Sequence, residues 1–338
     1  MTIKKLTVIA AAGAVLLAGA IGISMKLTSP HEMAMEVPET PVQGTEQKTE
    51  NDIQTLSNMA NTPLYYDETE RLLLPLRNVM EGLGGTVTWN KETKMTEVSY
   101  RGRVLALKAG EEDAFLNGYE ITLPVAAEVI NGCLYADEQL ISAYYTGDVD
   151  FNIESRQVTL RAKDNTTPVV AVKEISGEKA GRSYCIEVPV IIGLNDSKYE
   201  ISLNSKNMQE MQAYADAFMA AAEDGLLQLE LHLGLCSKNF VSLFWEGAKE
   251  GTSLKLAENI NLLSQKTVTL ADLLSEEGLQ EVKAVAGAGW TEDRFYLDSD
   301  GSLVLLKGSN ENSLEIHHWT TEGKVLDWKN EYKELFKS

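Results

Sequence analysis

Apolar and polar positions along this chain switch between two periods, and the switch happens twice. Leu72-Leu73-Leu74 is a short apolar run that ends at Pro75. Leu76, Val79, Met80 and Leu83 then fall on one helical face, with Pro75 suited to the first helical position. Gly84-Gly85 stops that helix. Thr86–Asn90 alternates as a strand, Lys91–Lys94 turns, and Met95–Tyr100 returns. About 62 residues later the order recurs. Leu134 stands for Leu72, Ile141 for Val79, Gly147 for Gly85 and Val149 for Val87. Phe151 stands for Trp89, Asn152 for Asn90, Arg156 for Lys94 and Leu160 for Val98. Asp137 caps the second helix, which carries Leu140, Ile141 and Tyr144. Between the copies, Val104–Leu107 and Ala114–Leu116 read as strands, and Asn117-Gly118 is a hairpin turn. The pattern predicts one small module built twice from a strand–helix–hairpin unit.

The remainder, 168–338, predicts a larger α+β domain. Tyr184–Ile192 reads as an apolar strand broken by Pro189, followed by a turn at Gly193-Leu194-Asn195-Asp196. Tyr199–Leu203 reads as a short strand. Asn207 with Glu210 forms a capping box for a helix bearing Met208, Met211, Phe218, Met219 and Ala222. That methionine stripe is read as a core face. Leu226–Cys236 and Phe240–Trp245 are expected strands. Thr267–Leu274 changes from strand to short helix, capped by Thr269. Arg294–Leu297 and Leu303–Leu306 flank a hairpin at Asp298-Ser299-Asp300-Gly301. Trp328, Tyr332, Leu335 and Phe336 have the spacing of an amphipathic C-terminal helix. The fold class is therefore α+β: an N-terminal helix, a small duplicated module and a larger α+β domain.

The N-terminal segment 1–26 places Lys4 and Lys5 before an uncharged run from Leu6 to Met25. A helix of about 20 residues spans a bilayer core, and the lysines orient it with the rest of the chain outside. The expectation is a signal anchor, with cleavage near Ala20 after Ala18-Gly19-Ala20 as the alternative. Segment 27–61 is rich in Glu, Thr, Gln and Pro and reads as a disordered linker. The module follows over 62–163 and the second domain over 168–338, with a hinge at Lys163–Thr167.

Charge narrows the partners. A formal net charge of −20 over 338 residues disfavours nucleic acid and anionic lipid and attracts basic partners. The chain has three cysteines, Cys133, Cys185 and Cys236, too few for a disulfide framework. Cys185 and Cys236 could pair outside the cell, and otherwise all three are small buried side chains.

Candidate chemistry is sparse. His31 lies in the linker, and His232 alternates with leucines on a strand, facing solvent or a polar neighbour. His317-His318 are adjacent, so on a strand they face opposite sides and do not jointly chelate a metal. Asp298-x-Asp300-Gly301 lacks the further ligands of a calcium loop. Ser176 and Lys179 have Ser-x-x-Lys spacing without companion motifs. No catalytic, cofactor-binding or metal-binding residue is assigned, and no cofactor is expected.

Two resemblances add to this reading. The Pro-Leu-Arg turn at Pro75-Leu76-Arg77, the helix ending at Leu83-Gly84, Val87-x-Trp89, the Thr93-Lys94 turn and Asn117-Gly118 together resemble the copper amine oxidase N-terminal-like domain. The likeness covers nearly all of Leu64–Ala162. In the second copy, Asp137 and Glu138 replace the Pro-Leu pair. The resemblance implies a stalk in a Gram-positive cell envelope protein. It does not extend to copper, because the segment has no histidine. Tyr184–Pro189, Gly193–Asp196, Asn239–Leu243, Lys266–Leu274 and Phe295-Tyr296-Leu297 before Asp300-Gly301 are similar to the extracytoplasmic part of anti-sigma-V factors and the non-catalytic part of a peptidoglycan deacetylase. That similarity implies an extracytoplasmic site and a ligand such as lysozyme. Glu246-Gly247-Ala248-Lys249 stands where a Gly-Gly-Ala-His-like segment is common. Only a few residues precede the apolar run, so no sigma-binding region is expected. The expected function is a non-enzymatic, membrane-anchored binding or sensing protein that recognises lysozyme, another basic protein or peptidoglycan. The alternatives are an enzyme or accessory subunit of peptidoglycan modification, and a structural envelope protein.

Overall fold

The computed structural model describes residues 53–56, 65–66, 71–152, 157–162, 167–221, 224–286, 290–306, 314–316, 320–321, 324–325, 327–329 and 332. The chain divides into units 1–49 and 50–338, and every described residue lies in the second. The expected N-terminal helix, Ala222, His31, His317, His318, Leu335 and Phe336 lie outside the described residues. Among the described residues no helix is long and apolar enough to cross a membrane.

The module begins with β1 (Ile53–Leu56), inside the stretch expected to be linker, and β2 (Tyr65–Tyr66). The first repeat is β3 (Leu72–Pro75), α1 (Leu76–Gly82), β4 (Thr86–Asn90) and β5 (Met95–Tyr100). Next come β6 (Arg103–Leu107), β7 (Asp113–Leu116), β8 (Tyr119–Thr122) and β9 (Glu128–Ile130). The second repeat is β10 (Cys133–Asp137), α2 (Glu138–Tyr144), β11 (Thr146–Asn152) and β12 (Gln157–Ala162).

The duplication shows in the pairing. β3 and β10 are antiparallel neighbours, with Ala136 opposite Leu74. Those positions are equivalent in the two repeats, so the copies meet about a local two-fold. The hairpin β4–β5 continues into β6, β7 and β8, whereas β11–β12 takes β1 as its third strand. One repeat thus completes its sheet from later sequence and the other from earlier sequence. The expected punctuation holds. Gly85 N–H donates to Met80 O at 2.8 Å past Gly84, whose φ is +85°. Asp137 Oδ1 accepts from Gln139 N at 2.7 Å. Pro75 sits one residue earlier than expected, at the N-cap. Leu74, Leu76, Val79 and Met80 are fully buried, each burial contributing about 1.5–3 kcal/mol.

The second domain starts with two long strands, β13 (Val169–Lys179) and β14 (Arg182–Ile192). Helix α3 (Ser197–Met219) leads to β15 (Gly225–Ser237), β16 (Phe240–Lys249), β17 (Thr252–Asn261) and β18 (Lys266–Thr267). These strands form one six-stranded sheet in chain order, and only β14–β15 is parallel, with α3 as the crossover. Helices α4 (Leu270–Leu273) and α5 (Glu276–Ala286) and strands β19 (Phe295–Leu297), β20 (Leu303–Leu305) and β21 (Leu314–Ile316) complete the larger part, before β22 (Thr320–Thr321) and β23 (Lys324–Val325).

Three sequence expectations change here. β14 runs through Pro189, which stays in register opposite Val172. Tyr199–Leu203 is helical, because α3 starts at Ser197. Asp196 caps it by accepting from Lys198 and Tyr199 N–H at 3.0 Å, so Asn207 is a buried mid-helix residue and not a cap.

Two of these changes share a cause. β14 pairs with β15 only from Arg182 to Ile186, after which both strands continue but diverge. Its backbone on that side is satisfied by side chains. Glu187 O accepts from Trp245 Nε1 at 2.8 Å, and Leu231 N–H donates to Glu187 Oε2 at 2.7 Å. Pro189 O accepts from Asn207 Nδ2 at 3.3 Å. Asn204 bonds both Ile191 N–H and Ile191 O at 2.8 Å, acting as a strand partner from the helix. Proline fits at 189 because its missing N–H would face this unpaired side.

The methionine stripe lines the core, as expected: half-buried Met208, Met211 and Met219 pack against the cluster that contains Ile186, Val188, Phe218 and Trp245. Trp328 and Tyr332 are buried with Leu273, Leu274 and Val282, and Trp328 bridges Leu274. At the sheet's far end, Ser242 Oγ donates to Asn259 Oδ1 at 2.7 Å and accepts from Leu297 N at 2.8 Å. Asn259 Nδ2 donates to Phe295 O at 2.7 Å, which fixes β19 on the sheet. A Cβ on Gly234 would collide with Leu297 O.

The two domains share a core. Val169, Ala171, Val190 and Ile192 are buried in one cluster with Leu105, Ile121, Tyr144 and Val158. Buried Arg103 donates to Tyr144 O at 3.1 Å and to Thr167 O at 3.2 Å. Of the expected hinge Lys163–Thr167, Thr167 alone is described. Replacing Arg103 by Met leaves two carbonyls short of a donor and should lower stability by about 2–4 kcal/mol in urea unfolding. Loss of one half of a two-step transition, with the other unchanged, would show that the domains unfold independently.

Candidate functional site

The seam between module and second domain opens into a cleft of about 750 Å³. One wall is the turn Gly110–Asp113 with Thr122, and the other is Lys173–Ser176, Tyr184 and Gln212. β8 positions the first wall because the Asn117-Gly118 turn, with φ of 50° and 84°, folds it back on β7. β13 and α3 position the second.

Lys173 closes the seam. Its Nζ is 3.0 Å from Asp113 Oδ1 and 2.7 Å from Glu120 Oε1, and its side chain is 14% exposed. Burial pulls the Lys173 pKa down, but the bonds and charges of Glu120 and Asp113 outweigh it and the net shift is upward. Glu174 N–H donates to Thr122 Oγ1 at 3.1 Å. Tyr119, beside Glu200 and Asn204 of α3, is pushed up to about 12 by burial and by Glu200. On the far wall Gln212 Nε2 lies 3.5 Å from Tyr184 OH and donates to Asp216 Oδ1 at 2.9 Å. Glu111, Glu112 and Asp113 are exposed at the mouth. With Lys173 matched to two carboxylates, the cleft is left acidic.

This arrangement can attract and hold a cation. It offers little nucleophilic reactivity: Lys173 is held charged, and burial followed by Glu174 pushes the Cys185 thiol up to about 12.

The residues singled out by motif are not brought together here. Ser176 lies on β13 opposite Cys185, and Lys179 is three residues on, facing the other side of the strand. His232, half-buried and near Glu187, also stacks on Phe244 at 4.7 Å and 16°, and Phe244 stacks on Tyr296 at 3.9 Å and 14°. Asp300 Oδ1 accepts from Ser302 N at 2.7 Å, and Asp298 Oδ1 from Ser299 N, as turn bonds. None of the three cysteines forms a disulfide. Cys185 is opposite Gln228, roughly 25 Å of strand from Cys236, beyond disulfide reach. Cys133 is exposed, against the expectation of burial.

Sequence reasoning passed over Lys173, Asp113, Glu120 and Thr122. One signal was present: a lysine inside the apolar run Val169-Val170-Ala171-Val172 and Ile175.

Comparison with known families now bears on the module. Residues 52–160 match the copper amine oxidase N-terminal domain. The matched segment includes β1, which agrees with its place beside β12. Its residues do not suit copper. It has no histidine, Cys133 is its only cysteine, and no group of three or more His, Cys, Asp or Glu is placed to hold a metal among the described residues. The second domain is similar to solved DUF3298 family proteins. One from Bacteroides fragilis has 14% identity and a TM-score of 0.35, covering 50% of this chain and 98% of its own. Another, from Pseudomonas aeruginosa, has 14% identity and a TM-score of 0.30, covering 44% of this chain and 88% of its own. No curated protein matches the chain.

The seam predicts an alkaline effect. Because the folded-state pKa of Lys173 lies above its ordinary 10.5, its stabilisation is complete below that pH and is lost as pH rises through the folded value. Lys173→Met should therefore lower the melting temperature at neutral pH, and the gap to wild type should narrow as pH rises beyond the lysine's ordinary 10.5. An unchanged gap would mean that the lysine acts through packing alone.

Proposed function

We propose that this chain is a membrane-anchored, extracytoplasmic binding or sensing protein of a Gram-positive cell envelope. Its module serves as a stalk and its second domain as the ligand-recognising part. The ligand is a basic protein such as lysozyme, or a cell-wall glycan. The observation that carries this reading is the acidic cleft built jointly by the two domains. The net charge of −20 gives the long-range attraction that brings a basic partner to it. The apolar run after Lys4 and Lys5 supports the anchor, and the module match supports the stalk. The similarity of the second part to anti-sigma-V factors and to the non-catalytic part of a deacetylase supports a role outside the cytoplasm.

The test is retention of lysozyme and of purified peptidoglycan on the immobilised chain. A basic protein should be held at low salt and weakened by about tenfold or more at moderate salt, since the Debye length falls. A glycan should be held with little salt dependence. Retention of neither overturns the reading.

A further inference from the structure

β13 is an edge strand of the six-stranded sheet, and part of its outer side lines the cleft. In an antiparallel pair, alternate residues turn both N–H and C=O to the same side. Glu174 N–H faces outward, because it bonds Thr122 of the module. Ser176 and Glu178 therefore also turn their backbone groups outward. Neither has a hydrogen-bond partner for those groups among the described residues.

The same sheet treats its other exposed backbone differently. Where β14 diverges from β15, Trp245, Asn207 and Asn204 engage Glu187 O, Pro189 O and both groups of Ile191. The bare stretch of β13 has no such cover. It begins where the contact with β8 ends, so the seam runs directly into it. A bare edge is a template for another strand, and sheets normally blunt it. Gly177 lies between the two outward residues and adds no side chain to bar approach. Exposed Glu111, Glu112, Glu174 and Glu178 surround the edge; Lys173 is matched by Asp113 and Glu120, and exposed Lys179 at the strand's end is a single charge against these four.

We propose that the β13 edge at Ser176–Glu178 binds an extended basic segment of a partner polypeptide as an added strand. This rests on the reading of the chain as a binding protein and names how it recognises its ligand. Main-chain bonds to Ser176 and Glu178 hold the strand, and lysine or arginine side chains on it reach Glu111 and Glu112. A glycan has no matching row of amide donors and acceptors.

The experiment uses the full chain and a labelled peptide of about ten residues alternating lysine and valine. Fluorescence anisotropy reads binding. N-methylation of alternate peptide amides should weaken binding at least about tenfold at unchanged charge. Ser176→Pro should do the same, because proline removes an outward N–H without touching the β13–β14 ladder. Glu111→Lys with Glu112→Lys should weaken binding and flatten its salt dependence. Equal binding by the methylated peptide overturns the proposal, as does failure of the parent peptide to bind. If Ser176→Pro does not fold, the methylated peptide alone decides. Lysozyme or peptidoglycan retained by a chain that ignores the peptide would overturn strand addition and leave the binding role standing. Peptide bound through its amides, with neither retained, would do the reverse.

Discussion

A strand that diverges from its neighbour leaves backbone groups that must find partners, and this constraint organises the second domain. β14 loses β15 after Ile186. The unmatched half is completed by Trp245 from β16 and by Asn204 and Asn207 from α3. A buried amide or carbonyl left unpaired costs on the order of 1–3 kcal/mol, so these bonds fix where α3 can lie. With α3 fixed, Leu203, Ala215 and Phe218 reach the sheet and form its core. Freed from β15, the end of β14 is able to send Val190 and Ile192 into the module's core.

The module depends on that contact in turn. Its two repeats meet at Leu74 and Ala136 about a local two-fold, yet their surroundings differ. The first repeat extends its sheet through β8, and the second borrows β1. The asymmetry lays β8 against β13 and makes room for Arg103, Lys173 and Thr122 to tie the domains together. A stalk joined by a free hinge would present its cargo passively. Here the module supplies one wall of the cleft, so the two domains build it together.

Much of the local structure was legible in the sequence. The periodicity of Leu76, Val79, Met80 and Leu83 set α1, and Gly84-Gly85 ended it, because both act within a single turn of chain. Asp137 capped α2, Asn117-Gly118 turned β7 into β8, and Thr269 N–H meets Asp272 in the expected cap. The errors cluster where tertiary contacts overrule local preference. Pro189 reads as a break until the far side of its strand is known to be unpaired. Asn207 reads as a cap until Asp196 is seen to start the helix and Asn207 to serve a carbonyl.

The sequence by itself determined the duplication, the α+β class and the acidic character, since each is carried by periodicity or by side-chain charge along a continuous stretch. The tertiary structure alone decided the cleft. Asp113, Glu120, Lys173 and Gln212 come from four different elements, and no short-range pattern links them. The bare edge of β13 was equally hidden, because whether a backbone N–H has a partner depends on which strand lies beside it.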